Sequence, residues 1–233
     1  MAAVKEDHPP RVKEERVQWC VGQLELRPHG VHWRKVIWCD EIHWSTGPRY
    51  VKNIKRRPGT DERWRPDNIQ YNKDARPDPE KQQKFHIFCV IGYNFAWAME
   101  YDAGNTNGKI NAGTYINILS KLQKEILGKE LILWQDRDSA HLSKKVIDWM
   151  DKHGMDHIEG PPTSPDLSIM ETWVKPLRQM FYQRRVASGH AGIKRFYQVW
   201  HKLKPEKINS TINCYPKRLH DCIKVTEGCA TKY

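Results

Sequence analysis

Two short runs of apolar residues in this chain each end in an aspartate. The first runs from Val36 to Asp40 and the second from Leu131 to Asp136. In both, a tryptophan stands two positions before the aspartate, and residues two apart in a β-strand lie on the same face of the sheet. Because near-continuous apolar runs are typical of strands covered by helices on both faces, the pattern predicts two buried strands whose ends present carboxylates.

A third apolar run predicts the centre of the same sheet. Residues Phe85 to Phe95 predict a strand, and the short run from Trp97 to Tyr101 predicts the second arm of a hairpin that turns at Asn94. With the two aspartate-ending strands, these segments indicate a sheet of five strands or a similar number.

Helical spacing of apolar residues appears between the strands and dominates after residue 165. One predicted helix is capped by Asn111 and a second by Ser139, and their apolar faces consist of Tyr115, Ile118, Leu119, Leu122 and Ile126, and of Leu142, Val146 and Met150. Pro176 predicts a kink or a late start in the helix that contains it. The later helices are predicted at about 169–185, 190–204 and as a last pair broken near Pro216.

The chain divides into a short charged start and one large domain. Residues 1–16 are charged and contain prolines, which predicts a flexible tail or linker remnant. Residues 17–233 predict one α/β domain, a mixed sheet flanked by helices, with a helical C-terminal section at 169–233. Within it, segment 47–84 is polar, basic and longer than a usual connection, which indicates a functional insertion.

The net charge favours a polyanionic partner. The 233 residues include 39 Lys and Arg against 28 Asp and Glu, a net charge of +11. A cation that neutralises a DNA phosphate releases a condensed counterion, so this excess favours nucleic acid, although a solvated basic surface is the alternative. The ten tryptophans and the 39% hydrophobic content exclude a disordered chain.

Cysteine spacing and the chain start limit the other classes of protein. None of the six cysteines falls in a CxxC pair, which argues against a zinc ribbon or finger. We expect no membrane span and no secretory signal, since no apolar stretch is long enough and the start is polar. The thiols are therefore expected to be reduced, in the cytosol or nucleus.

The predicted strand ends suggest phosphodiester chemistry. Such a reaction is promoted by two divalent ions about 4 Å apart, and hard ions such as Mg²⁺ prefer carboxylate oxygens. Asp40 and Asp136 supply two carboxylates, and a third is expected from a nearby helix. In the segment 157–171, Asp166 is read as a helix cap or first-turn acid. Spacing alone leaves Glu171 equally a metal ligand or an exposed helical glutamate.

Three ordered blocks resemble the signature blocks of mariner-superfamily (Tc-type) DNA transposases. They are VIWCDE at 36–41, WQDRDSAH at 134–141 and SPDLSIMETW at 164–173. The family usually shows a strand ending in S-D-E, then Q-D-N-A-P-x-H, then S-P-D-L-N-P-I-E-x-x-W. The resemblance covers about residues 16 to 233.

The resemblance implies roles for individual residues. The catalytic, metal-binding carboxylates fall on Asp40, Asp136 and Glu171, and the 34 residues between the last two match the glutamate-ending branch of the superfamily. His141 matches the histidine of the second block, where it either orients the catalytic loop or a phosphate, or makes a local hydrogen bond.

The resemblance also implies a fold and a reaction. The expected fold is ribonuclease-H-like, with two Mg²⁺ or Mn²⁺ ions. The expected reaction is cleavage and strand transfer of double-stranded DNA in cut-and-paste transposition, in the nucleus. It involves no covalent protein–DNA intermediate, organic cofactor or membrane, and the sequence leaves open whether the chain forms a homodimer.

This chain departs from the family pattern at three places. Arg137 and Asp138 replace Asn and Ala of the second block, and Asp138 is a minor alternative to Asp136 as the ligand. The third block lacks its proline, reads Ser168-Ile169-Met170, and carries Trp173 one position early. About 35 residues precede the first strand, too few for two helix-turn-helix modules. We therefore expect a truncated copy, a fragment, or a protein that relies on another for its target.

Several residues and two other functions remain as alternatives. Glu41 is interpreted as structural, since it points to the face opposite Asp40. Phosphate contacts that position DNA without reading its sequence are assigned to Lys55, Arg56, Arg57, Arg63 and Arg65, each of which is alternatively a solvated charge. The second function is a catalytically silent DNA-binding remnant. A more distant third is a structure-specific nuclease of the same fold.

Overall fold

A computed structural model describes residues 8–46, 83–105, 107–184, 186 and 188–230. Within these ranges, five strands form one mixed sheet in the order β3-β2-β1-β4-β5. Strand β1 pairs antiparallel with β2 and parallel with β4, while β2–β3 is antiparallel and β4–β5 parallel. The strands are β1 Val36–Ser45, β2 Lys84–Gly92, β3 Phe95–Tyr101, β4 Ile132–Gln135 and β5 His157–Glu159.

Helices pack on both faces of this sheet. Those in the described ranges are α1 Pro10–Leu26, α2 Ala112–Ile126, α3 Lys144–Lys152, α4 Ile169–Phe181, α5 Gly189–Trp200, α6 Pro205–Asn213 and α7 Tyr215–Lys224. Two 3₁₀ turns, Gly30–Lys35 and Pro165–Leu167, lead into β1 and α4. In the part of the chain that is described, every helix is too short or too polar to cross a membrane.

The alternation of side chains along β1 divides the hydrophobic core in two. Trp38 and Trp44 face α1 and the helices after residue 165, in a core that includes Cys20, Leu177, Phe181, Phe196, Ile208 and Leu219. Ile37 and Cys39 face the opposite side, where α2 and α3 contribute Tyr115, Leu119, Val146 and Met150. Asp40 therefore lies on the first face and Glu41 on the second.

The strand pattern of the sequence is confirmed, with one strand missed. The two aspartate-ending runs form β1 and β4, and the third run forms the β2–β3 hairpin. Strand β1 does not end at Asp40 as expected but continues to Ser45, because its pairing with β2 extends that far. Strand β5 was not predicted, because three residues are too few to show an alternating pattern.

The prediction of a tail at residues 1–16 is wrong for residues 10–16, which form the first turns of α1. Pro10 occupies the first helical position, where a missing backbone N–H costs nothing, so it starts the helix instead of breaking it. The residues that α1 buries are Arg16 and Cys20, so the helix has no apolar stripe in its sequence.

Two other local predictions have mixed outcomes. Asn111 caps α2 as predicted, since its side chain accepts from the N–H of Thr114. Ser139 does not cap α3, because the carboxylate of Asp138 accepts from the N–H of Ala140 and closes a separate turn first. The helix with Pro176 has no late start, since α4 runs through the proline from Ile169.

Of the basic insertion at 47–84, residues 47–82 lie outside the described residues.

Two helical glycines predict opposite effects of the same substitution. At Gly192 of α5, an added Cβ would lie 2.6 Å from the ring of Phe85 and 2.7 Å from the methyl group of Thr46. We expect Gly192→Ala to lower the free energy of unfolding by about 1–3 kcal/mol through overpacking. At Gly22 of α1 the same Cβ meets nothing within 4 Å, so Gly22→Ala should raise it by about 0.5–1 kcal/mol. Urea unfolding of both variants measures this, and effects of equal sign would contradict the packing.

Candidate active site

Asp40 and Asp136 lie where the parallel pairing of β1 with β4 ends. Strand β4 ends at Gln135, just before Asp136, whereas Asp40 lies in the middle of β1, which continues to Ser45 in pairing with β2. In the β1–β4 register Trp38 is opposite Trp134, and each aspartate follows its tryptophan by two residues. Parallel strands lie about 4.8 Å apart, so this register brings the two aspartates to the same point on the sheet edge. Ligand sites in open α/β sheets are found at this edge.

Glu171 approaches the same point from α4. It stands in the first turn of that helix, one turn of chain after the 3₁₀ turn Pro165–Leu167. Asp40, Asp136 and Glu171 line one cavity of about 320 Å³, together with Glu41, Arg137, Asp138 and His141. The structure therefore brings together the three carboxylates that the sequence singled out.

The carboxyl groups of Asp40 and Glu171 lie close enough for each to affect the pKa of the other. Burial, followed by the negative charges of Glu171 and Glu41, raises the pKa of Asp40 well above its usual value. Burial also raises the pKa of Glu171, although the positive charge of Arg178 opposes this shift. Burial and the crowding of like charges both disfavour the ionised form of a carboxyl group.

Asp136 is held by His141 instead. The Nδ1 of His141 lies 2.7 Å from Asp136 Oδ1, and its Nε2 lies 3.1 Å from Glu41 Oε1. Burial alone would lower the pKa of His141, but these hydrogen bonds raise it to about 10. The imidazole is therefore a cation at neutral pH that donates to both carboxylates. Although burial favours the neutral acid, the bond from His141 keeps the pKa of Asp136 below its usual value.

The structure places His141 in a closely packed position. The ring is 3% exposed and packs against Tyr115 with 4.2 Å between ring centroids. Tyr115 in turn donates to the side chain of Gln135, the last residue of β4, over 2.7 Å. His141 is thus fixed by packing and orients the carboxylate of Asp136.

Glu41 is the site residue that the sequence reasoning missed. It does point to the face opposite Asp40, but its interpretation as merely structural needs correction, because its carboxylate binds His141 and lines the cavity. The available signal was the acidic pair Asp40–Glu41 at the end of the apolar run, and both residues line the cavity.

Asp138 and Asp166 have different surroundings. Asp138 lines the cavity, and β4 ends at Gln135, so the turn that we favoured over a continued strand is present. The carboxylate of Asp166 accepts two hydrogen bonds from the guanidinium of Arg16, at 3.0 and 2.8 Å. Of the two roles expected for Asp166, the helix cap is absent, since neither the 3₁₀ turn nor α4 has a side-chain cap, but Asp166 does stand as an acid in the first turn of the 3₁₀ helix.

The predicted phosphate contacts cannot be placed on this site. Lys55, Arg56, Arg57, Arg63 and Arg65 all lie outside the described residues. Arg137 does line the cavity. Its side chain is 43% exposed, and its nearest carboxylate oxygen, on Glu15, is 3.8 Å away. Its guanidinium is therefore accessible to an anion that enters the cavity.

The donor set fits a hard divalent cation. In the described ranges no three acidic, histidine or cysteine side chains surround a common point closely enough for one ion. Burial and the neighbouring negative charges nevertheless raise the pKa of Asp40, a penalty that a cation would relieve. Cys39 also lines the cavity, but burial raises the pKa of its thiol, so no thiolate is offered to a soft metal.

Comparison with known proteins gives consistent matches. A family model described as DDE superfamily endonuclease matches residues 35–191, which include all three carboxylates. The Tcb1 transposase of Caenorhabditis briggsae is 24% identical over 222 residues, 95% of this chain and 78% of that protein. The Tcb2 transposase of the same organism is 23% identical over 117 residues, 50% of this chain and 42% of that protein. The latter match spans less than half of its relative.

Solved structures show the same fold. The crystal structure of the catalytic domain of Mos1 mariner transposase superposes with a TM-score of 0.74 at 15% identity, over 98% of this chain and 100% of that one. The Mos1 strand transfer complex gives 0.78 at 17% identity, over 100% of this chain and 66% of that one. The ribonuclease-H-like fold expected from the sequence is confirmed by this likeness.

The contacts of His141 predict a measurable contribution to stability. We expect His141→Ala to lower the free energy of unfolding, because two carboxylates lose a charged hydrogen-bond donor, which costs about 1.5–3 kcal/mol. Asp136 is 62% exposed, so the lower end of that range applies. The measurement is urea unfolding in the presence of EDTA. The exposed His220 of α7 is the matched control, and its alanine variant should stay within about 0.5 kcal/mol of wild type. Equal losses in both variants would contradict the assigned contacts.

Proposed function

This chain belongs to the DDE superfamily endonucleases, and from that premise we propose that it is the catalytic domain of a Tc1/mariner-type transposase. The observation that carries the proposal is the convergence of Asp40, Asp136 and Glu171 on one cavity from β1, the end of β4 and α4. We assign to it metal-dependent hydrolysis of DNA strands followed by strand transfer. The 34-residue spacing from Asp136 to Glu171 supports the glutamate-ending branch.

Asp40, Asp136 and Glu171 are the residues that would hold two Mg²⁺ or Mn²⁺ ions. Solved structures of the Mos1 catalytic domain include one with Mn and one with Mg. When bound, two such ions activate the attacking oxygen and stabilise the leaving oxygen of an in-line displacement. Since this chemistry requires no protein nucleophile, the proposal includes no covalent protein–DNA intermediate.

The side chains around the carboxylates set their charge and orientation. A carboxyl group binds a cation only when deprotonated, and the raised pKa values of Asp40 and Glu171 oppose that deprotonation until a cation is present. His141 keeps Asp136 ionised and holds Glu41 beside it. A bound cation would therefore change the ionisation of Asp40 and Glu171 more than that of Asp136.

The proposed substrate is double-stranded DNA. A net charge of +11 supports a phosphate-rich partner, and Arg137 offers an exposed guanidinium within the cavity. One of the matched Mos1 structures is named as a paired-end complex with the left transposon end. By analogy we propose transposon-end DNA as the substrate, a paired assembly of two copies, and action in the nucleus.

A plasmid-nicking assay tests this function directly. Purified protein should convert supercoiled plasmid to open circles with Mg²⁺ or Mn²⁺ and not with EDTA. We expect Asp136→Asn to reduce the rate at least about 100-fold, since even groups that only support metal ligands contribute about 10–100-fold. The matched control is Asp148→Asn in α3, because Asp148 is exposed and does not line the cavity.

The assay also separates the proposal from the silent remnant. Nicking that survives Asp136→Asn would overturn the assigned site. Specific retention of plasmid in a gel-shift experiment without nicking under either ion would indicate a DNA-binding protein that has lost its chemistry.

A further inference from the structure

The segment 163–168, which leads from β5 to α4, has every backbone carbonyl hydrogen-bonded. Two of the six acceptors are satisfied locally, by the N–H groups of Leu167 and Ser168. The other four bind side chains from distant elements, namely Arg16 at Thr163, Arg218 at Asp166 and Ser168, and Tyr215 at Leu167. Complete pairing through such remote donors is unusual for a connecting loop, which normally lies in water.

Arg16 of α1 binds two side chains of the segment in addition to the carbonyl of Thr163. Its side chain is fully buried and forms an ion pair with Asp166, whose side chain is 6% exposed. The two terminal nitrogens bind the two carboxylate oxygens in parallel, and Nη1 also donates to the hydroxyl of Ser164. A lysine could not reproduce this planar double contact. On its other side the guanidinium donates to the carbonyl of Gly228 over 2.7 Å.

Arg218 of α7 holds the end of the segment where α4 begins. It is 4% exposed, and its Nη1 donates to the carbonyls of Asp166 and Ser168, each over 3.2 Å. Its Nη2 donates to the hydroxyl of Thr172 over 3.0 Å. Thr172 adjoins Glu171, so Arg218 spans the first turn of α4 from its start to the residue after the third carboxylate.

Local sequence fixes this turn only in part. Pro165 starts the 3₁₀ turn, but Ser168 makes no capping hydrogen bond at the start of α4. Thr163 has a φ of +49°, a conformation that a threonine adopts at an energetic cost unless its surroundings enforce it. The geometry of the segment therefore depends on the arginines that bind it.

We infer that Arg16 and Arg218 are positioning residues that place Glu171 opposite Asp40 and Asp136. Both lie outside residues 35–191, the range matched by the family model. The inference rests on the proposed function, because it assigns the purpose of the contacts to the three-carboxylate site. Each arginine acts through the backbone of 163–168 or of the first turn of α4.

The test compares Arg16→Lys with Arg11→Lys. Both residues lie on α1 and both pair with a carboxylate. Arg11, however, is 88% exposed, and its partner is Glu15 on the same helix. Hydrogen–deuterium exchange of peptides spanning 163–171 reports the segment, and electron paramagnetic resonance of free Mn²⁺ reports metal binding without any need for activity. The nicking rate and the DNA affinity of each variant are measured as well.

We expect Arg16→Lys to speed exchange in 163–171 and to weaken Mn²⁺ binding by about 10-fold, the loss typical when support of a metal ligand is removed. The nicking rate should fall with it while DNA affinity and exchange in β1 and β4 stay unchanged. Arg11→Lys should match wild type in every measurement. If Arg16→Lys does not fold, as judged by near-ultraviolet circular dichroism, Arg218→Lys carries the same test.

The outcomes separate this inference from the proposed function. Faster exchange in 163–171 with unchanged Mn²⁺ binding would overturn the inference, because the contacts would then serve stability alone. Unchanged exchange would overturn it as well. If wild type binds Mn²⁺ and loses that binding in Glu171→Gln but never nicks DNA, the proposed function fails, and the Mn²⁺ shift in Arg16→Lys still decides the inference. A wild type that binds no Mn²⁺ would overturn both.

Discussion

The parallel pairing of β1 with β4 is the constraint on which the site depends. It places Trp38 opposite Trp134, and strand alternation then carries Asp40 and Asp136 to the same face at the same edge. That face is also the one covered by the helices after residue 165, whose core residues include Ile169 and Met170 at the start of α4. A shift of one residue in this register would send one aspartate to the opposite face and away from α4.

Once these groups are gathered, their negative charge becomes the main physical problem of the site. On one side of the cavity a buried imidazolium lies between Asp136 and Glu41, and His141 is fixed there by Tyr115. On the other side, burial and neighbouring negative charges raise the pKa values of Asp40 and Glu171, a penalty that an added cation would relieve. The arrangement therefore keeps Asp136 charged and leaves the Asp40–Glu171 side able to respond to a cation, which suits a site that must load and release ions during a reaction.

The sequence predicted those parts of the fold that follow from local periodicity. Apolar runs and their tryptophan-aspartate ends located β1 and β4, because buried strands must present apolar residues continuously. The same reasoning failed for α1, where the buried positions are Arg16 and Cys20 and no apolar stripe exists. It also failed for Glu41, since alternation fixes the face of a residue but not which groups its side chain reaches. Asp166 was assigned a local role for a similar reason, because its partner lies 150 positions away in the chain.

These failures share one physical cause, which is that part of the site is specified through long-range polar contacts. Arg16 binds the 163–168 segment on one side and the carbonyl of Gly228 on the other. Gly228 has a φ of +84°, and a Cβ there would lie 2.3 Å from the carbonyl oxygen of Lys13, so only glycine allows the chain after α7 to approach α1 this closely. The packing of α1 against α7 and the placement of the third carboxylate therefore depend on the same guanidinium. A signature block can supply Glu171, but its position relative to the two aspartates is a property of helices that lie outside the blocks.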